Sequence, residues 1–404
     1  MIWMPILNPA KKGESDLLKY LLRRFVSGLI LLFIFVSIVF FAVNIMLPGD
    51  WVSHLALGLT NQESAELREW LGLNLPLWQR YLHWVGNLFK GDLGRGYSLM
   101  GEGPSVSDTL KQVIPSTILV FGVGTTLAFM LGEWLGRVTG WRKPDFLTGS
   151  ATFSAITLYT SFPPWLAFLL TYFLVRKYHL FTAEASRPLW RQAPVTWNGV
   201  INEMVVALLV ITLVVVVLSY LYQRWSRRGL PRLLLLVLIG AAWYASWQYM
   251  DIMPYARDVM RVATLPLIAY VLLTFGEIML IMRTTMVDTL HEEYINTARA
   301  KGLSPQVVRD RHAARNALIP VVSRMVVTLP FILTGMVMLE MALRWEGIGN
   351  SLFYAIGTQN VPLAMGAIMV IGAVSLTARL FLEVLVVYLD PRLRTVSESN
   401  GELR

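Results

Sequence analysis

The chain contains no cysteine. That excludes disulfides, thiolate metal sites and a cysteine nucleophile, and leaves the redox compartment open. Charge is scarce as well. Asp, Glu, Lys and Arg make up 15% of the 404 residues, against roughly a quarter in soluble domains. No G-x-x-x-x-G-K-[ST] run occurs, so the chain has no P-loop to cradle ATP phosphates. The stretch His291–Ile295 approaches the zinc-protease pattern H-E-x-x-H, but Ile295 stands where the second histidine is needed. Sustained period-two alternation is missing, which argues against a membrane β-barrel. No nucleophile–base or metal constellation is evident.

What the chain has is apolar length. It is 55% hydrophobic, with a mean hydropathy of +0.55. Several runs exceed the ~18 residues that mark a membrane helix. The fold class is therefore all-α, a polytopic membrane protein. Eight spans are expected, at about Tyr20–Leu47, Ser116–Val138, Gly149–Val175, Ile201–Tyr222, Leu233–Tyr249, Thr264–Met282, Ile319–Met341 and Leu363–Leu389. With both termini in the cytoplasm, 21 basic residues fall in inside segments or at the cytoplasmic ends of spans (Arg23, Arg24 and Arg137), and 12 in outside segments. This is the positive-inside bias, and it accounts for the net charge of +9 without nucleic acid. The first span is too long for a signal peptide core, and no A-x-A site follows it. The chain thus divides into a cytoplasmic extension (1–19), a first span (20–47), an extracytoplasmic loop (48–115), a transmembrane domain (116–389) and a cytoplasmic tail (390–404). An inserted pair of spans occupies about 201–249.

One strongly polar stretch interrupts the greasy spans: EYINTARAKGLSPQVVRDRHAARNALIP, Glu293–Pro320. Thr289 and Glu292 fit a capping box. Good helix formers fill 290–301, and Arg299 and Lys301 suit a helix C-terminus. Gly302 stands where a left-handed residue ends a helix. Ser304 and Pro305 read as N-cap and first residue of a second helix, and Pro320 as the opening of the next span. Leu290, Tyr294, Ala298 and Ile295 share one face. That face must pack on the chain itself, on lipid or on a partner.

EYINTARAKGL followed by RHAARNALIP resembles the cytoplasmic EAA loop of ABC importer permeases, in the dipeptide, oligopeptide and nickel branch. The first span, closing on Leu-Pro-Gly-Asp, is similar to that branch, and so is LREWLGLNLPLWQRYLHWVGNLFKGDLGRGYS. The likeness covers most of the chain and fails over about 176–260. It implies a type I permease core of six helices plus the inserted pair. It also implies a multi-pass protein of the plasma (inner) membrane of a bacterium or archaeon, surrounded by membrane lipid. The partners implied are a second permease in a heterodimer, two ATPase subunits that bind ATP and Mg, and an extracytoplasmic substrate-binding protein. The chain itself would need no cofactor or metal and catalyse no chemistry.

On this resemblance the loop at about 288–318 is the coupling segment. Its expected residues are Glu293, Tyr294, Asn296, Ala298, Arg299, Lys301 and Gly302, with Asn296 where the wider superfamily has Glu. Ala298 would keep a docking face low, or pack on its own chain. Arg299 and Lys301 would meet acidic partner groups, or remain solvated. Ionisable residues inside spans are costly and often functional; Glu133, Glu277, Glu340 and the Arg379/Glu383 pair qualify. Glu277 is the candidate pathway acid, or else makes an interhelical hydrogen bond, with Asn44, Trp51 and the Pro163-Pro164 kink as candidate shapers of the route. Peptides are the implied cargo, with oligosaccharides and nickel complexes as alternatives. A channel or secondary transporter would explain the spans and Glu277 but not the polar loop.

Overall fold

The computed structural model describes residues 14–46, 50–55, 60–98, 101–143, 145–182, 185–191, 193–226 and 232–389. The expected tail, most of the N-terminal extension and the junction 227–231 lie outside the described residues, as does the side chain of Glu383.

Helix α1 (Glu14–Met46) leads into short helices α2 (Trp51–Leu55), α3 (Asn61–Trp70) and α4 (Leu77–Phe89). A two-stranded hairpin follows, β1 (Arg95–Ser98) with β2 (Gly101–Ser105). Then come α5 (Val106–Trp141), α6 (Phe146–Tyr159), α7 (Pro163–Leu170), α8 (Arg187–Arg191), α9 (Trp197–Ser226) and α10 (Arg232–Tyr249). The chain continues through α11 (Met253–Thr289), α12 (Glu293–Ala300), α13 (Pro305–Val307), α14 (Ala314–Leu343), α15 (Ile348–Gly357) and α16 (Val361–Leu389). Two π-helical turns, Thr171–Lys177 and Val308–Ala313, extend α7 and join α13 to α14.

Five described helices are long and apolar enough to cross a membrane, or six if the bent pair α6–α7 is one span. α10 and α14 lie where two further spans are expected. Most helices outrun their apolar windows. α11 has 37 residues, about 55 Å at the α-helical rise, against a hydrocarbon core of ~30 Å. Its polar ends therefore project beyond the bilayer.

The expected continuous span Gly149–Val175 is broken. α6 ends at Tyr159, and α7 departs at 109°. Phe162 is extended (φ −67°, ψ 122°), and Pro163 and Pro164 occupy the first turn of α7. A residue before proline avoids the helical region, and proline has no N–H to donate backwards. Ser-Phe-Pro-Pro-Trp thus ends one helix and starts another instead of kinking one.

The centre of the fold is the pair α5–α11, which run parallel. A stripe of small residues on α5, Gly124, Ala128, Gly132, Gly136 and Gly140, recurs every fourth position. A Cβ at Gly132 would sit 2.7 Å from the Phe275 carbonyl oxygen, at Gly136 2.6 Å from that of Met279, and at Gly140 2.8 Å from that of Arg283. The backbones approach so closely that only glycine fits. This is the small-xxx-small packing that holds membrane helices together where lipid removes the hydrophobic drive. One core lies towards the α12 end, built from Ala128, Met279, Met282, Met286, Ile295, Ala313 and Val321. A second lies towards the hairpin end around Tyr270, Met204, Trp247 and Trp345. The inserted helices join the second core: the Trp243 indole donates to the Met204 carbonyl at 2.7 Å, and Val200 and Ile201 are buried.

Glu340 is 1% exposed. It accepts hydrogen bonds from the Thr117 hydroxyl (2.7 Å) and the Gly349 amide (2.6 Å). The carboxylate therefore caps the start of α15, where unpaired amides and the helix dipole favour a negative group.

Candidate functional site

α12 is shorter than expected. α11 runs to Thr289, so the Thr289 hydroxyl donates to the Thr285 carbonyl at 2.7 Å. It caps nothing, and the expected Thr289–Glu292 capping box does not form. Glu292 takes the N-cap position in extended geometry without a side-chain bond. The helix stops as the sequence indicates. Gly302 adopts φ +74°, its amide reaches the Arg299 carbonyl at 2.9 Å, and the Leu303 amide reaches that of Ala298 at 3.4 Å. This is the paired-bond glycine stop, which satisfies carbonyls left open at a helix end. Ser304 then caps α13, accepting from the Val307 amide at 3.4 Å, with Pro305 as its first residue. The helix that carries Pro320 starts six residues earlier, at Ala314.

The two faces of α12 differ sharply. Ile295 and Ala298 are buried against Met286, Val308, Ala313 and Ala317, and Tyr294 is half-buried beside them. The opposite face exposes Glu293, Asn296, Thr297, Arg299 and Lys301, and the exposure runs on through Gly302 and Leu303. Of the seven residues expected to couple, Ala298 and Tyr294 pack on the chain's own bundle. Glu293, Asn296, Arg299, Lys301 and Gly302 form one accessible surface. Arg299 lies over the Trp141 ring at 5.7 Å, a cation–π contact that ties α12 to the end of α5.

A polar link joins the same elements. Arg137 of α5 lies 3.6 Å from Glu133 and 3.7 Å from Asp310, and Arg309 meets Asp310 at 2.7 Å. The Arg309 hydrogen bond holds the Asp310 carboxyl below the usual carboxylate range, against burial that pushes it up. Asp310, Arg309 and Arg137 escape a sequence reading, because nothing local shows that a loop aspartate meets an arginine far back on another helix.

Glu277 of α11 pairs with Arg324 of α14 at 3.5 Å. The acid is shielded and Arg324 is half-exposed. Arg324 is the partner that the sequence did not name. The Asn44 amide donates to the Phe40 carbonyl one turn back at 2.8 Å. Pro163 and Pro164 sit at the bend, flanked by exposed Phe162 and Trp165. These pathway candidates are thus not one cluster of contacts. At the hairpin end, a cavity of about 380 Å³ is lined by Tyr97, Thr109, Asn350, Ser351, Tyr354 and Asn360, among others. Among the described residues, no group of three or more His, Cys, Asp or Glu converges in a way that could hold a metal.

The fold and site together define a polytopic helical membrane subunit with a rigidly seated, solvent-facing helix at one end. A model of the inner membrane component of binding-protein-dependent transport systems matches residues 124–395. Its N-terminal companion matches residues 17–119. The chain belongs to this family. It is 28% identical over 381 residues to a putative peptide permease protein of Brucella suis biovar 1, covering 94% of this chain and 99% of that protein. It is 26% identical over 382 residues to the dipeptide transport system permease protein DppB of Escherichia coli K12, with the same coverage. A glutathione transport system permease protein, GsiC of Shigella flexneri, is 27% identical over 382 residues, again with that coverage. The chain is therefore a permease component of an ABC importer of the peptide family, embedded in the inner membrane.

Proposed function

We propose that the chain moves peptides across the membrane by alternating access, driven through α12 by ATPase subunits that bind ATP and Mg. In this reading it pairs with a second permease, receives cargo from a binding protein at the hairpin end, and performs no chemistry of its own. It crosses the membrane eight times, with both termini and α12 in the cytoplasm. Relatives named for peptide, dipeptide and glutathione transport support the cargo class.

The observation that carries the reading is the two-faced seating of α12. Ile295 and Ala298 key the helix into the start of α14, while Asn296, Lys301 and Gly302 stand exposed for a partner beside Arg299, which lies over Trp141. A pull on the exposed face passes to α14 through the buried face. It passes to α5 through Asp310–Arg137 and Arg299–Trp141, and on to α11 through the glycine seam. α5, α11 and α14 then tilt together, a rigid-body switch. The Glu277–Arg324 pair bridges α11 and α14 within that unit and marks the route, with Asn44 and the Pro163–Pro164 bend as further shaping groups.

The test uses the reconstituted transporter carrying Lys301→Glu or Gly302→Val. The first reverses charge on the exposed surface. The second forces a β-branched residue into a left-handed position. We expect uptake to fall at least tenfold in both while the chain inserts at normal levels. Normal uptake in both variants removes the docking role. For topology, a tag placed after Ser226 should be reached only from the cytoplasmic side, and labelling from outside overturns the eight-span arrangement.

A further inference from the structure

Two opposite charges stand at one level within the spans. Glu277 lies twelve residues before the end of α11 at Thr289, about 18 Å along the axis. Arg324 lies ten residues past the start of α14 at Ala314, about 15 Å along its own axis. Their side chains meet at 3.5 Å through the Arg324 Nε, with 13% of the Glu277 side chain exposed and 56% of that of Arg324. A third residue joins them. α6 crosses α11 at Gly276, where a Cβ would lie 3.0 Å from the Tyr159 Cβ. Tyr159 is 42% exposed and within electrostatic reach of both charges.

An arginine turned towards acyl chains at this depth is costly. The exposed side of Arg324 therefore opens onto water or onto a polar group. Its contact with Glu277 is long for a charged hydrogen bond and engages one edge of the guanidinium. The planar fork has five N–H donors, so its outer edge can take a second carboxylate with two parallel bonds. A fixed acid on another subunit would leave surplus negative charge within the membrane, because Glu277 already balances Arg324. A free peptide brings an ammonium with its carboxylate, so the pair plus the peptide stays neutral.

We infer that Arg324 is the residue that receives the C-terminal carboxylate of the cargo peptide, with Glu277 holding the guanidinium in place and Tyr159 beside it as a neutral donor. The inference rests on the transport reading and adds a specificity-determining group to it.

The experiment is uptake of radiolabelled Ala-Phe and of its C-terminal amide by the reconstituted transporter with its binding protein, each expressed as kcat/KM. Wild type should favour the free acid. Arg324→Gln should cut that preference about tenfold or more, the loss expected for a charged hydrogen bond. Glu277→Gln breaks the same interhelical pair but keeps the cation, so its preference should persist. The binding protein is common to all three, and its own selectivity cancels in the comparison. A pair with only a structural role makes the two variants alike, with uptake of both peptides lowered and the ratio unchanged. That result overturns the inference, and so does equal uptake of the two peptides by wild type. An unchanged ratio with loss of the second permease from the Arg324→Gln complex also overturns it, and assigns Arg324 to the subunit interface. Where Arg324→Gln does not insert, Arg324→Lys, which keeps the charge without the fork, should show a reduced preference, and a full one overturns the inference. Failure of wild type to import either peptide is a distinct result: it counts against the transport reading and takes this inference with it.

Discussion

The glycine seam of α5 makes a quantitative prediction with its own control. At Gly136 a Cβ would lie 2.6 Å from the Met279 backbone oxygen and 2.6 Å from the Met282 Cβ. Both are on α11, and neither is the loose end of a flexible side chain. Gly136→Ala must therefore push the two helices apart or distort one. Overpacking of this kind costs about 1–3 kcal/mol. Exchanging glycine for alanine in a helix interior also favours the helix by up to about 1 kcal/mol. Gly122, on the same helix, isolates that second effect, because a Cβ there meets nothing within 4 Å. The propensity gain is common to both variants, so the difference between them is the steric cost alone, about 1–3 kcal/mol. Gly122→Ala should be neutral or slightly stabilising, and Gly136→Ala should unfold more easily. The assay is reversible unfolding of the purified chain in mixed micelles at rising fractions of denaturing detergent. Equal stability of the two variants refutes the claim that the α5 and α11 backbones touch.

Other perturbations probe separate contacts. Glu340→Ala leaves the Thr117 hydroxyl and Gly349 amide without their buried acceptor; each orphaned donor costs about 1–3 kcal/mol, measurable by thermal unfolding, and Glu340→Gln should cost less. Asp310→Asn should speed hydrogen exchange across Val308–Ala313 and lower uptake, because it weakens the link to Arg137; unchanged exchange and uptake would show the link to be idle. In the outer segment, burial pushes the Asp50 carboxyl up, but hydrogen bonds from Arg68 and Ser53 more than offset it and leave the group below its ordinary value of 3.8. A depressed carboxylate contributes stability that is complete above the unfolded value and lost as pH falls through the folded one. Amide protection in α2 and α3 should accordingly hold from neutrality to about pH 4 and fall only below it; a decline near pH 6 would assign the stability elsewhere.

Local chemistry was legible in the sequence, and long-range pairing was not. Membrane helices announce themselves because each must satisfy its own backbone in lipid. The glycine stop at 302 and the Ser304–Pro305 start are set by neighbouring residues, so they could be read directly. Thr289 misled because the apolar signal of α11 fades at Met282 while its helix continues to Thr289. A threonine inside a helix and one capping the next have the same local sequence. Pro163–Pro164 signalled a kink within one span, but the full break and its 109° departure depend on where α7 packs. The hairpin Arg95–Ser105 gave little signal, since its strands are short and rich in glycine. The seam at Gly124, Gly132, Gly136 and Gly140 was in plain view at four-residue spacing. Its meaning appears only once α11 lies against it, because small residues lower hydropathy without marking a partner. Arg324 and Asp310 are of the same kind: each charge is visible, but its partner is on another helix.

The seating of α12 also decides how the proposed coupling can be dissected. The helix has eight residues, about 12 Å, and an isolated helix of that length is not stable in water. Its order must come from Ile295 and Ala298 packing on the start of α14. The contacts that fold α12 are therefore the same ones that would pass its motion to the bundle. Ile295→Ala should lose stability and coupling together: truncating a fully buried isoleucine costs about 2–5 kcal/mol, enough to let α12 open locally, seen as fast hydrogen exchange over Glu293–Ala300. Lys301→Glu touches only the exposed face and should lose coupling with exchange unchanged. A transporter in which Ile295→Ala loosens α12 yet imports normally would show that the helix does not carry the load. One in which Lys301→Glu loosens α12 would show that its two faces are not independent.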